Sequence, residues 1–179
     1  MSSYSYTYLM EYLPVRYSAT LEQQSVRQTV FNFKDGICSR GVKLEIVERI
    51  KLIRQCVNEA NWRICFIPAS SHLKTVLRYK ALSDFIQMST GIPCSIDTIN
   101  TLDDEVSGHI GGKKIDPAKN FFVLGDDVLG KNVILIDDVI TRGNTFVGTA
   151  DKLIAKGAKN VVGLFLAKTI NPDYVSCSA

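Results

Sequence analysis

The sequence has no apolar run approaching the roughly 18 residues that a membrane-spanning helix needs, so no span and no membrane partner are expected. It has no C-x-x-C pair. Cys38, Cys56, Cys65, Cys94 and Cys177 are odd in number and scattered, which excludes a zinc ligand set of that kind and a disulfide framework. Cys56 and Cys65 fall within apolar patterns and are expected to be buried free thiols of a reduced compartment. Residues 1–12 are rich in Tyr and Ser and lack the basic start and apolar stretch of a signal peptide, so the expected location is the cytoplasm. Neither G-x-x-x-x-G-K-[ST] nor G-x-G-x-x-G occurs, and there are no internal repeats or low-complexity tracts. A strong charge bias is missing too: 21 Lys and Arg face 18 Asp and Glu, a balance that suits a phosphate-bearing small molecule and gives no argument for nucleic acid.

What the 179 residues do contain is an α/β pattern with enough apolar content for one core. Thr20 and Gln23 form a capping box for a helix carrying Val26, Val30 and Phe33. Val42, Ile46, Ile50, Ile53 and Val57 trace the apolar stripe of a second helix. Residues 1–60 are therefore expected to form an N-terminal helical addition, and residues 61–179 an α/β core. Ile64–Ile67, Phe121–Leu124, Val133–Ile136 and Val161–Ala167 are short, nearly continuous apolar runs, with a weaker strand at Cys94–Ile96. Helices fall after the first and third of these runs, with Leu82, Phe85 and Ile86 facing inward in one and Phe146, Ala150 and Leu153 in the other. That alternation predicts a mostly parallel sheet flanked by helices, with ligands at the carboxyl ends of its strands. Residues 100–119 form a long polar stretch of the kind that is usually functional or disordered.

The chemistry concentrates in residues 133–145, where an apolar strand is expected to end at Ile136 and give way to Asp137 and Asp138. Thr141-Arg142-Gly143-Asn144-Thr145 follows and opens onto a helix. Backbone N–H groups, the hydroxyls of Thr141 and Thr145, and Gly143 for close approach make an anion site at a helix N-terminus. Two carboxylates beside such a site would repel a bare phosphate. They make sense if they grip hydroxyl groups or a magnesium ion on the same ligand, and a phosphorylated sugar meets both demands. Taken alone, the acidic pair could equally end a strand and cap a turn.

This array resembles the phosphoribosyl pyrophosphate signature of the type I phosphoribosyltransferases. The resemblance implies that Thr141–Thr145 hold the 5-phosphate and that Asp137 and Asp138 engage the ribose 2- and 3-hydroxyls, with Mg2+ nearby, directly or through water. Val26-Arg27-Gln28, Lys34-Asp35-Gly36, Lys119–Phe122 and Leu166–Thr169 are similar, more diffusely, to the ComF-like, amidophosphoribosyltransferase-like branch, although the paired C-x-x-C ligands common in ComF proteins are absent. The family also implies a pyrophosphate loop at Ala69, Ser70 and Ser71, with Lys74, Arg78 or Lys80 to neutralise charge. A loop drawn from residues 100–119 would close over the centre and bring Lys113 and Lys114 to the leaving group. The implied reaction is displacement at C1 of phosphoribosyl pyrophosphate by a nitrogen nucleophile, with Asp138 the group expected to stabilise the developing ribosyl cation.

No motif identifies the acceptor. The N-terminal helices are expected to form either a hood over it or a homodimer surface. Two other functions use the same features. One is a non-catalytic sensor of phosphoribosyl pyrophosphate or a nucleotide; the other is a ComF-like accessory protein of DNA uptake, for which scattered Arg49, Lys51 and Arg54 give no clear basic patch.

Overall fold

The computed structural model of the chain describes residues 4–101 and 121–171. Their order is β1 (Tyr6–Tyr12), α1 (Leu21–Lys34), α2 (Arg40–Val57), β2 (Trp62–Phe66), α3 (His72–Thr90), β3 (Cys94–Ser95), β4 (Ile99–Thr101), β5 (Phe121–Val123), β6 (Asn132–Ile140), α4 (Asn144–Ala155) and β7 (Asn160–Thr169). Five strands form a wholly parallel sheet in the order β1-β7-β6-β2-β3. The α/β architecture with a mostly parallel, helix-flanked sheet is thus present. The expected division at residue 60 falls in the turn between α2 and β2. Among the described residues no helix is long and apolar enough to cross a membrane.

Each face of the sheet is covered by its own set of elements. Val30 and Phe33 of α1, Ile46 and Ile50 of α2, and Tyr79, Leu82 and Ile86 of α3 pack on Ile64, Phe66, Ile134, Ile136 and Leu164. On the opposite face, Phe146, Ala150 and Leu153 of α4 cover Cys65, Val133, Leu135, Val161 and Phe165, together with Ile99, Phe121 and Val123 of the antiparallel β4–β5 pair. The helices that follow β2 and β6 therefore leave on opposite faces. Where neighbouring parallel strands send their connections apart in this way, a crevice opens at their carboxyl ends.

Four local features differ from the expectations. Residues 6–12 form an edge strand, because Tyr6 and Tyr8 alternate onto the face where Tyr6 meets Phe146 and Phe165 edge-on at 6.3 and 5.9 Å. Residues 121–123 do not join the parallel sheet and pair with β4 instead. The third strand does not stop at Ile136 but runs to Ile140, since β7 stays in register beside it as far as Lys168. Cys56 is exposed, because it lies off the Ile46-Ile50-Ile53 stripe of α2, whereas Cys65 is buried as expected.

The turn after β1 is held by one side chain. The Arg27 guanidinium donates to the carbonyls of Leu13, Pro14 and Tyr17 at 2.8, 2.7 and 2.8 Å, fixing α1 against the sheet. In β7, Gly163 leaves room for two rings: a Cβ there would lie 2.7 Å from Phe165 and 2.9 Å from Phe146. Gly163→Ala should therefore overpack this face and lower the unfolding free energy by about 1–3 kcal/mol. Denaturant titration reads this directly, and an unchanged midpoint would show that the rings repack without cost.

Candidate functional site

The site begins where β6 outruns its neighbour. β2 pairs with β6 only as far as Ile136 opposite Phe66, and the Ile67 N–H closes the ladder on the Ile136 carbonyl at 3.0 Å. On its other side β6 stays paired with β7, so Asp137 to Ile140 remain extended at the mouth of the crevice. Within this stretch the carboxylates bind the backbone that follows them: Asp137 Oδ1 accepts the Asp138 N–H at 2.8 Å, and Asp138 Oδ1 accepts the Val139 N–H at 2.6 Å.

Helices α1 and α3 supply the remaining partners. Arg78 donates through Nη1 to Asp138 Oδ2 at 2.9 Å, and Lys34 Nζ lies 3.8 Å from the same oxygen. The Tyr79 hydroxyl donates to Asp137 Oδ1 at 3.1 Å. Asp137 Oδ2 makes no hydrogen bond with any described residue. Burial, reinforced by the adjacent Asp138 charge, raises the Asp137 pKa to about 7. Burial, followed by the Asp137 charge, also pushes the Tyr79 phenol well above its usual value, which keeps it a donor. Burial works against the Arg78 charge, but Tyr79 and both carboxylates outweigh it and hold the guanidinium above its ordinary value.

Beside the acidic pair is the loop to α4. Thr141, Arg142 and Asn144 are exposed, and Gly143 takes the left-handed conformation at φ 77°, ψ 0° as the N-cap of α4. The first turns of α1, α2 and α3 are capped by the side chains of Thr20, Ser39 and Ser71; α4 has no side-chain cap. Its first intrahelical bond runs from the Val147 N–H to the Gly143 carbonyl at 2.8 Å, which leaves the preceding N–H groups for an outside acceptor. The hydroxyls of Thr141 and Thr169, 2.8 Å apart, tie this loop to the end of β7. The arrangement is an anion cradle next to an oxygen-rich wall.

The loop after β2 is less open than the sequence suggests. The Ala69 N–H is taken by Thr75 Oγ1 at 2.9 Å, and Ser71 Oγ caps α3 by accepting the Lys74 N–H at 3.3 Å. Ser70 is exposed and receives Lys74 Nζ at 3.3 Å. Lys80 pairs with Asp84 on the exposed face of α3 at 2.7 Å. Lys113 and Lys114 lie outside the described residues. Lys34 and Tyr79, neither singled out in the sequence as site residues, both reach the acidic pair. The open groove lined by Arg54, Trp62, Gly91 and Lys131 lies at the opposite, amino ends of the strands.

Comparison with known proteins gives short similarities. No family model matches the chain. A 39-residue segment is 56% identical to the ribose-phosphate pyrophosphokinase of Bradyrhizobium diazoefficiens, covering 22% of this chain and 12% of that protein. A 49-residue segment is 45% identical to the amidophosphoribosyltransferase of Rattus norvegicus, covering 27% of this chain and 10% of that protein. The matched segments thus span about a tenth of the length of these curated relatives. Among solved structures, the allosteric regulatory enzyme of purine biosynthesis aligns over 76% of this chain and 30% of its own, at 16% identity and a TM-score of 0.49.

The electrostatics of Asp137 lead to a stability prediction. Its pKa is about 7 folded against 3.8 for the unperturbed group, so between those values the folded state keeps a proton that the unfolded state has released. Stability therefore falls as pH rises through that window. Asp137→Asn removes this loss, and its advantage over wild type should be greater at pH 8 than at pH 5 by about 1–3 kcal/mol, or roughly 2–12 °C in thermal midpoint. A difference that does not change with pH would show that Asp137 titrates as an ordinary carboxylate.

Proposed function

We infer that the chain is a phosphoribosyltransferase that binds phosphoribosyl pyrophosphate and transfers the phosphoribosyl group to a nitrogen nucleophile, releasing pyrophosphate. The observation that carries this reading is the uncapped start of α4, with Gly143 in the left-handed conformation, directly beside Asp137 and Asp138 at the end of β6. An anion site and a pair of hydroxyl acceptors so close together match a sugar that carries a phosphate at one end and a diol at the other. The short similarities to a ribose-phosphate pyrophosphokinase and an amidophosphoribosyltransferase point to the same ligand class.

On this reading, Thr141, Arg142, Gly143, Asn144 and Thr145 receive the 5-phosphate through hydroxyls and first-turn N–H groups. Asp137 and Asp138 face the ribose hydroxyls. Ser70 and Lys74 are the groups of the β2 loop best placed for the diphosphate, with Ala69 and Ser71 shaping the turn. Arg78 can contribute its charge there only by loosening its bond to Asp138. Lys113 and Lys114 remain proposed partners of the leaving group. The C1–O bond breaks with its electron pair leaving on pyrophosphate, the C1–N bond forms, and the nucleophile releases its proton. Positioning and electrostatics carry the rate, and Asp138 is assigned the role of stabilising the developing ribosyl cation.

Mg2+ fits the donors present. Magnesium is commonly held by one or two carboxylates with substrate oxygens and waters, and Asp137 Oδ2 is a carboxylate oxygen without a protein hydrogen bond among the described residues. Held beside that oxygen through the ribose hydroxyls or water, it would supply positive charge to neutralise the diphosphate. Among the described residues no group of three or more His, Cys, Asp or Glu could hold a metal by itself, so the ligand's own oxygens would complete the shell.

One feature favours a second reading, a phosphoribosyl pyrophosphate sensor without turnover. Asp138 is already satisfied by Arg78 and Lys34, which lowers its readiness to serve a reacting sugar. Calorimetric titration with Mg–phosphoribosyl pyrophosphate tests the common core of both readings. Wild type should bind and Asp137→Ala/Asp138→Ala should not; binding that survives in the double variant would rule out this site. Pyrophosphate release with ammonia or a nucleobase then separates enzyme from sensor.

A further inference from the structure

Tyr79 has no part in holding the ligand under the phosphoribosyl reading, yet it is fully buried and its hydroxyl ends on the acidic pair. Three elements fix its ring. It belongs to α3, stacks on Phe66 of β2 with centroids 4.7 Å apart and planes inclined by 27°, and meets Phe33 of α1 edge-on at 6.2 Å. A hydroxyl on a ring so confined has little freedom to point elsewhere. Its acceptor, Asp137 Oδ1, also takes the Asp138 N–H at 2.8 Å. Two donors from different elements, the Tyr79 hydroxyl of α3 and the Asp138 N–H of β6, thus converge on one oxygen and restrain the carboxylate, while Oδ2 stays free of described partners.

We propose that Tyr79 is a positioning residue, which pins Asp137 through Oδ1 so that Oδ2 is presented to the ribose hydroxyls of a phosphoribosyl ligand. This rests on the phosphoribosyl reading and adds to it: one oxygen of one carboxylate is assigned to the diol, and the residue that aims it comes from the core beneath. A carboxylate held by two donors is pre-organised for the diol, whereas with one donor it can rotate and admit water. The anion cradle at α4 lies on a different element and does not depend on Tyr79, so the two halves of the site can be examined separately.

Tyr79→Phe removes the hydroxyl and keeps the stacked ring. Ribose 5-phosphate carries both the phosphate and the diol; inorganic phosphate carries only the first. Titration of each into wild type and variant should show about a tenfold loss of ribose 5-phosphate affinity in Tyr79→Phe, the size expected for one hydrogen bond to a charged group, with inorganic phosphate affinity unchanged. An equal loss for both ligands would make Tyr79 merely structural and overturn the proposal, as would no loss for either. A wild type without affinity for ribose 5-phosphate overturns the phosphoribosyl reading itself, and this proposal with it. If Tyr79→Phe loses its cooperative unfolding transition, Phe66→Leu keeps the hydroxyl but removes the stacking ring. It should show the same ligand-dependent split to a smaller extent, and its absence would overturn the proposal.

Discussion

The pairing of β6 with β7 lasts longer than the pairing of β6 with β2, and the candidate site depends on that mismatch. While both neighbours are present, β6 is an ordinary interior strand whose Val133 to Ile136 are buried on both faces. Once β2 ends, the next residues are still held straight by β7 but open towards the crevice. A strand in that situation can carry polar groups without leaving the sheet. The extended backbone gives Asp137 and Asp138 a rigid base that a loop would not provide.

The second requirement is charge. Adjacent half-buried and buried carboxylates repel each other and lose hydration, so the pair needs compensation from the chain around it. Helix α3 provides most of it with consecutive residues, Arg78 for Asp138 and Tyr79 for Asp137, and α1 adds Lys34. Both helices also supply the apolar side chains that cover this face of the sheet. Core packing and site electrostatics therefore share the same elements, and a change in how α3 seats would reach the acidic pair without touching it.

Much of this was readable in the sequence, for identifiable reasons. The helices of residues 21–34 and 40–57 announced themselves through the Thr20–Gln23 box and the isoleucine stripe, both local signals. The buried strands were visible as continuous apolar runs, and the anion loop as Thr and Gly placed before a helix. The extent of β6 was not legible, because Asp-Asp breaks the apolar pattern and only the partner strand keeps the backbone extended. The tyrosine alternation of residues 4–8 is a strand signal, but its polar composition masked it. Lys34 and Tyr79 lie far from Asp137 and Asp138 in sequence, so only the packing of α1 and α3 could bring them there. The thiol of Cys56 shows the limit of reading apolar composition without phase: one step around the helix turns it outward.

The edge strand β1 has a consequence for how the chain acquires its shape. Its hydrogen-bonding partner is β7, the last strand of the sheet, so nearly the whole described chain separates the two. During synthesis the residues of β1 emerge early and find no place until β7 exists. Meanwhile the β7-facing edge of β6, apolar from Val133 to Ile136, stays unpaired as well. Contacts this distant slow folding and prolong the exposure of sticky strand edges. The newly made sheet is thus most vulnerable to aggregation before β7 arrives, and a chaperone that shelters one open sheet edge would have its greatest effect at that moment.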